Sequence, residues 1–296
     1  MLRRSSTNCA PPRRAPDENA PVGDLANDTR VERVSDTRFR AHPDPAWEIW
    51  GPMGGYMVAL ALRAAGLAAT FDRPASLACQ YLGVATFDPV DIEVTTARRT
   101  KRAESLRVAI TQGERPILDT LLWCIGDVEG LTHDEIEPPD VPGPDDLTPW
   151  EELLDDGPPF PFWNNVESRP VEFQPEWPPP GPVPPVWRTW CRMRPTPTFT
   201  DPWLDAARTA ILLDVQSWPP VHTHHAWADP PFIAPSLDLY VAFHAPAPAD
   251  PWLLADGYSP VAGDGLVGWT GRLWSSGTRH LVASGAGQQL CRPIPT

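Results

Sequence analysis

The sequence predicts an α+β fold built as a tandem repeat, with two antiparallel sheets each wrapped around one central helix. Three observations carry this. The order strand, helix, four strands occurs twice along the 296 residues. The strand-like runs alternate apolar and polar residues, as in Val90-Asp91-Ile92-Glu93-Val94, the period of a half-exposed strand. Most links between the runs are too short for the crossovers that parallel pairing needs.

Residues 1–33 are polar and without periodicity, and are expected to be a disordered or loosely ordered leader. The first repeat is expected over 34–134. Gly54-Gly55 leads into a predicted helix, Tyr56–Ala65, with Gly66 as its stop. Predicted strands follow at 76–82, 90–97, 105–111 and 116–125, and Gly113 supplies a hairpin turn between the last two. From Pro138 to Pro202 there are 19 prolines. They remove backbone donors and fix φ, so 135–186 reads as a Pro-rich connection that hugs the surface, pinned by Phe160, Phe162, Trp163 and Trp177. The second repeat, 187–296, opens with a strand at 187–193. Asp201-Pro202 then starts a helix that runs to about Val215, with an N-cap and a proline at the first position. Four strands are expected at 236–244, 252–259, 265–274 and 280–289.

Composition bounds the function. Twenty-four basic against 38 acidic residues leave a net charge of −14, which excludes a general nucleic-acid surface. No run of 18 apolar residues exists, so no membrane span is expected. Residues 1–20 lack the apolar stretch of a secretory signal, and the five widely spaced cysteines form no Cys-x-x-Cys motif; a cytoplasmic protein without a disulfide framework or zinc site is expected. His222-x-His224-His225 lies between proline pairs with no carboxylate or cysteine at ligand spacing, and reads as loop. No metal and no cofactor are expected. The 14 tryptophans are scattered over both halves without a basic groove, which favours core packing over stacking on sugars or bases.

One residue stands out chemically. On the second helix Leu204, Ala207, Ile211 and Trp218 share a face, and Asp214 falls on it too. A carboxylate there loses solvation and sits at the negative end of the helix dipole; both effects raise its pKa and make it a better base. The alternative is a helix-end carboxylate that frays into solvent. Arg98, Arg99, Lys101 and Arg102 form the densest basic run of the ordered chain, suited to phosphates or, equally, to a solvated strand end.

The stretch Trp47-Glu48-Ile49-Trp50-Gly51-Pro52-Met53-Gly54-Gly55-Tyr56, with Pro74-Ala75-Ser76-Leu77, Leu213-Asp214, Ser236-Leu237-Asp238 and the run from Ser284 to Arg292, resembles the acyl-CoA thioesterases of the double-hotdog type, the bacterial acyl-CoA thioesterase II family. The resemblance covers about 47–127 and 187–293. It implies an acyl-CoA substrate, a homodimer, and an Asp, a Thr or Ser, and a Gln that hold a water against the thioester carbonyl. Asp214 matches the Asp, and Ser236 takes the Thr position with its hydroxyl retained. Gly287 stands at the Gln position, so Gln288 and Gln289 are both candidates, with Gln288 preferred. Gly54 and Gly55, and Arg98 and Arg99, are the expected substrate-binding residues; for the glycines a tight strand-to-helix turn is the alternative. The other function classes are a non-catalytic acyl-binding protein and a hydratase. The hydratase motif Asp-x-x-x-x-His is absent, since no His has Asp five residues before it.

Overall fold

The structure, a computed structural model, describes residues 22–228 and 231–294. Twelve strands among them form one sheet: β1 Glu32–Arg33, β2 Arg38–Ala41, β3 Arg73–Tyr81, β4 Val90–Arg99, β5 Ala103–Gln112, β6 Arg115–Ile125, β7 Val166–Pro170, β8 Val186–Met193, β9 Asp238–Phe243, β10 Leu253–Gly263, β11 Leu266–Ser275 and β12 Leu281–Leu290. Their order is β1-β2-β4-β5-β6-β3-β9-β12-β11-β10-β8-β7, and every pairing is antiparallel. The order β2-β4-β5-β6-β3 of the first half reappears as β8-β10-β11-β12-β9 in the second. The two sheets expected from the sequence are joined edge to edge into one continuous sheet. Ser76–Gln80 of β3 pairs with Asp238–Ala242 of β9, because each half would otherwise leave a row of unpaired backbone groups at its inner edge.

Two helices lie against the sheet, α1 Gly54–Ala68 and α2 Pro202–Asp214. The Asp201 side chain caps α2 by accepting from the N–H groups of Trp203 and Leu204, and Pro202 occupies the first turn. From Trp203 to Asp214 every residue of α2 is buried, so burial extends beyond the apolar face expected from the sequence and takes in the Asp205–Arg208 ion pair. The helices run antiparallel. Gly55 of α1 meets Ile211 and Asp214 of α2, and Gly66 meets Trp203. Gly66 is therefore no helix stop. A Cβ there would sit 2.6 Å from Trp203 Cγ, and the glycine is what lets the two helices touch.

Two connections differ from expectation. Of the expected leader, residues 1–21 lie outside the described residues, while 22–33 are tied down. Leu25 is buried, Gly23 N–H donates to Asn165 Oδ1 at 2.6 Å, and Asp28 accepts from Trp47 Nε1 at 2.9 Å. The Pro-rich segment is more than a link, since it contributes the edge strand β7. An edge strand tolerates Pro170 because its outward groups need no ladder partner. Phe162 is buried against Trp47, whereas Trp177 stays half exposed and stacks on His222 at 4.6 Å. Among the described residues no helix is long and apolar enough to cross a membrane.

Candidate active site

The site forms where the N-terminus of α1 meets the C-terminus of α2. Trp50 and Gly51 turn the chain with φ of +92° and +122° and deliver it to Met53, which leaves α1 without a side-chain cap. The first N–H groups of an uncapped helix are open donors with positive potential. One is used at once: Gly55 N–H donates to Asp214 Oδ2 at 2.8 Å. A Cβ on Gly55 would stand 2.9 Å from the Ile211 Cα, and one on Gly54 would stand 3.2 Å from Asp214 Oδ2. Both glycines are thus close-approach positions against α2.

Asp214 is 7% exposed. Its second oxygen, Oδ1, accepts from the Tyr81 hydroxyl at 3.3 Å. Loss of solvation pushes the carboxyl up to about 6, against the opposing pull of these two hydrogen bonds. Burial, reinforced by Asp214, holds the Tyr81 phenol well above its ordinary range, so Tyr81 remains a donor throughout the working pH range. Tyr81 escaped the sequence reading. The two residues are 133 positions apart, and only the predicted strand running to 82 hinted that its ring ends near a helix terminus.

Strand register places the rest. Gly285 faces α2, because a Cβ there would collide with the Leu213 side chain. Alternation along β12 then puts Gly287 and Gln289 on the helix side and Gln288 on the other. Gln289 is 2% exposed; Gln288 is exposed, its backbone N–H bound to Asp238 Oδ1 at 2.9 Å. The preference for Gln288 is corrected accordingly. Ser236, half-buried, forms a bridge pair with Gln289, and Gln289 pairs with Val267 on its other side. On β3, Tyr81 N–H donates to Leu237 O at 3.0 Å. Ser236 and Gln289 are therefore paired on the helix side, and Tyr81, on the neighbouring strand opposite Leu237, reaches the same side to meet Asp214.

Arg98 and Arg99 are not brought to these residues. Arg99 Nε donates to the buried Glu104 at 2.9 Å, and Glu104 accepts from the N–H groups of Thr70 and Phe71 just past the end of α1. The basic hairpin therefore sits at the far end of a 15-residue helix, about 21 Å from the Asp214 end. His222 lies between the rings of Trp177 and Trp218, and burial lowers its pKa to about 4.

Comparison with known proteins now adds to the geometry. Residues 43–125 match the family described as acyl-CoA thioesterase N-terminal domain, and 138–289, more than half of the chain, match the acyl-CoA thioesterase C-terminal domain. Among solved structures, the tesB protein of Mycobacterium avium subspecies paratuberculosis is 25% identical with a TM-score of 0.74, over 92% of this chain and 99% of that one. Acyl-CoA thioesterase II TesB2 from Mycobacterium marinum is 22% identical with a TM-score of 0.76, over 92% and 99%. A protein of Alicyclobacillus acidocaldarius described as having a hot dog fold is 20% identical with a TM-score of 0.77, over 92% and 98%; its fold is the fold of this chain. No curated protein matches the sequence significantly. With both domain profiles matched in order along one chain, the protein belongs to the acyl-CoA thioesterase family and is a thioester hydrolase.

Proposed function

We propose that the protein hydrolyses acyl-CoA with a water held by Asp214, Ser236 and Gln289, in a double hotdog whose two repeats share one continuous sheet. The observation that carries this reading is the Asp214 carboxylate, buried, fixed by one donor on each oxygen, and raised to about 6. That pKa suits a base at neutral pH, since it is ionised there yet keeps driving force for proton capture.

Ser236 and the Gln289 amide orient the water, and Asp214 takes one of its protons as the oxygen attacks the thioester carbonyl carbon. The carbonyl π electrons move to oxygen, where the free N–H groups at the start of α1 stabilise the oxyanion. Collapse of the tetrahedral intermediate breaks the C–S bond, and the leaving thiolate takes the proton from Asp214. The products are a carboxylic acid and the free thiol of coenzyme A. A thioester is electrophilic enough that positioning and charge stabilisation suffice.

Asp214→Asn tests this. Asn keeps the shape and cannot accept the proton, so kcat for thiol release falls by about 10²–10⁴ while KM changes little. Ser236→Ala costs less, since the base remains. In the parent enzyme kcat declines as pH falls through about 6, where Asp214 becomes protonated. Release by the Asn variant at the parent rate defeats the proposal.

A further inference from the structure

Behind the row of Ser236 and Gln289, the helix-side face continues as two more rows. The first is Trp269, Gly287, Leu239 and Cys79; the second is Gly257, Gly271, Gly285, Val241 and Leu77. The three glycines of the second row admit the C-terminal turn of α2. Leu213 lies against Gly271 and Gly285, and Gln216 lies against Gly257. That row is closed by the helix. Of the first row, the strands contribute almost no bulk beside β11, because Gly287 has no side chain and the Trp269 indole occupies its place. Its Nε1 comes within 2.8 Å of where a Gly287 Cβ would be, and its Cζ3 within 3.3 Å of where a Gly271 Cβ would be. Trp269 is 1% exposed, and among the described residues its Nε1 has no hydrogen-bond partner, as holds also for Trp274 Nε1 and Gln289 Oε1.

A ring that fills a glycine-floored slot one row behind the reacting row stands where the end of a chain entering from that row would meet it. We infer that Trp269 is the specificity residue for acyl length, and that it restricts the enzyme to short acyl-CoA substrates. The inference rests on the thioesterase reading above, because that reading fixes where the thioester carbonyl sits. From there the acyl chain runs between helix and sheet toward Trp269. One pleat repeat separates the rows, about 7 Å, the length of roughly four to six carbons.

The experiment is thiol release from acetyl-, butyryl-, hexanoyl-, octanoyl- and dodecanoyl-CoA by the parent, Trp269→Val and Trp269→Phe. The parent should peak in kcat/KM at or below six carbons. Trp269→Val should move the peak to longer chains, by about fourfold per added methylene that the slot accepts, with butyryl-CoA kcat within about threefold of the parent. Trp269→Phe, the more conservative change, should shift the profile in the same direction by less. A purely structural tryptophan would lower all rates together and leave the profile in place. A parent that prefers dodecanoyl-CoA, or variants with the parent profile, would overturn the inference. Affinity for the corresponding non-hydrolysable thioether analogues, measured by calorimetry, keeps the two readings apart. Short-chain preference in binding without any thiol release defeats the hydrolysis and leaves the role of Trp269 standing, whereas release without chain-length discrimination does the reverse.

Discussion

The antiparallel helix pair has two ends, and they have been put to opposite uses. At one end the α2 terminus offers Asp214 to the uncapped start of α1, with Gly54 and Gly55 giving it close access. At the other end the α1 terminus offers Gly66, and the Trp203 indole fills the space against it. A duplicated fold supplies two such junctions, and both bury carboxylates: at the filled end Glu104 and Asp205 are paired with Arg99 and Arg208, whereas the donors to Asp214 are a backbone N–H and a phenol. The sheets beneath differ in the same sense. Ile92, Ile110 and Leu118 form a paired row across β4, β5 and β6 under an alanine-rich helix, while the corresponding strands β10, β11 and β12 carry Gly257, Gly271 and Gly285 under the bulky turn of α2. The first half puts volume on the sheet and the second puts it on the helix. The lesson is that the two halves reach close helix–sheet contact by opposite distributions of bulk.

The largest effect that separates the two ends beyond catalysis itself is on stability. Trp203→Ala at the filled end should cost about 3–5 kcal/mol, as expected of a buried tryptophan, measured by denaturant unfolding, with kcat nearly unchanged at a temperature where the variant is folded. A matching loss of kcat would mean that the filled end also takes part in the reaction. Next, Asp214→Asn should stabilise the protein at pH 8. The folded carboxyl titrates at about 6, above its unfolded value of 3.8. The stability it contributes is therefore complete below pH 4 and lost as pH rises through 6, a difference of about 3 kcal/mol at most. The two proteins should unfold alike at pH 4 and diverge above pH 6; a constant offset at both pH values would point to packing instead. The smallest effect is expected at the hairpin. Arg98→Ala and Arg99→Ala should leave KM for acyl-CoA within about twofold, with Arg99→Ala losing about 1 kcal/mol of stability. A tenfold rise in KM would restore the basic run to the substrate path.

Much of the architecture was legible before any coordinates. Period-two runs marked the strands, and Asp201-Pro202 marked the start of α2, because caps and alternation are local properties of the chain. Asp214 was legible too, since an acidic residue on an apolar helical face is a local anomaly. What failed was non-local. Gly66 carries the same letter whether it stops a helix or admits a neighbour, and only the position of Trp203 distinguishes the two. The choice between Gln288 and Gln289 turned on a single-residue register, which reverses the face of every side chain. Tyr81, Trp269 and the basic hairpin depend on which ends of which elements meet, and no window of sequence contains that.

The joining of β3 to β9 has a consequence for the molecule's behaviour in a crowded solution. It buries the two inner edges, and the outermost strands of the sheet are Glu32–Arg33 and Val166–Pro170. Both are short. The first is charged, and the second ends in a proline that cannot donate to an incoming strand. The Pro-rich segment thus works as a terminator. At that edge it discourages the addition of a further strand from another chain.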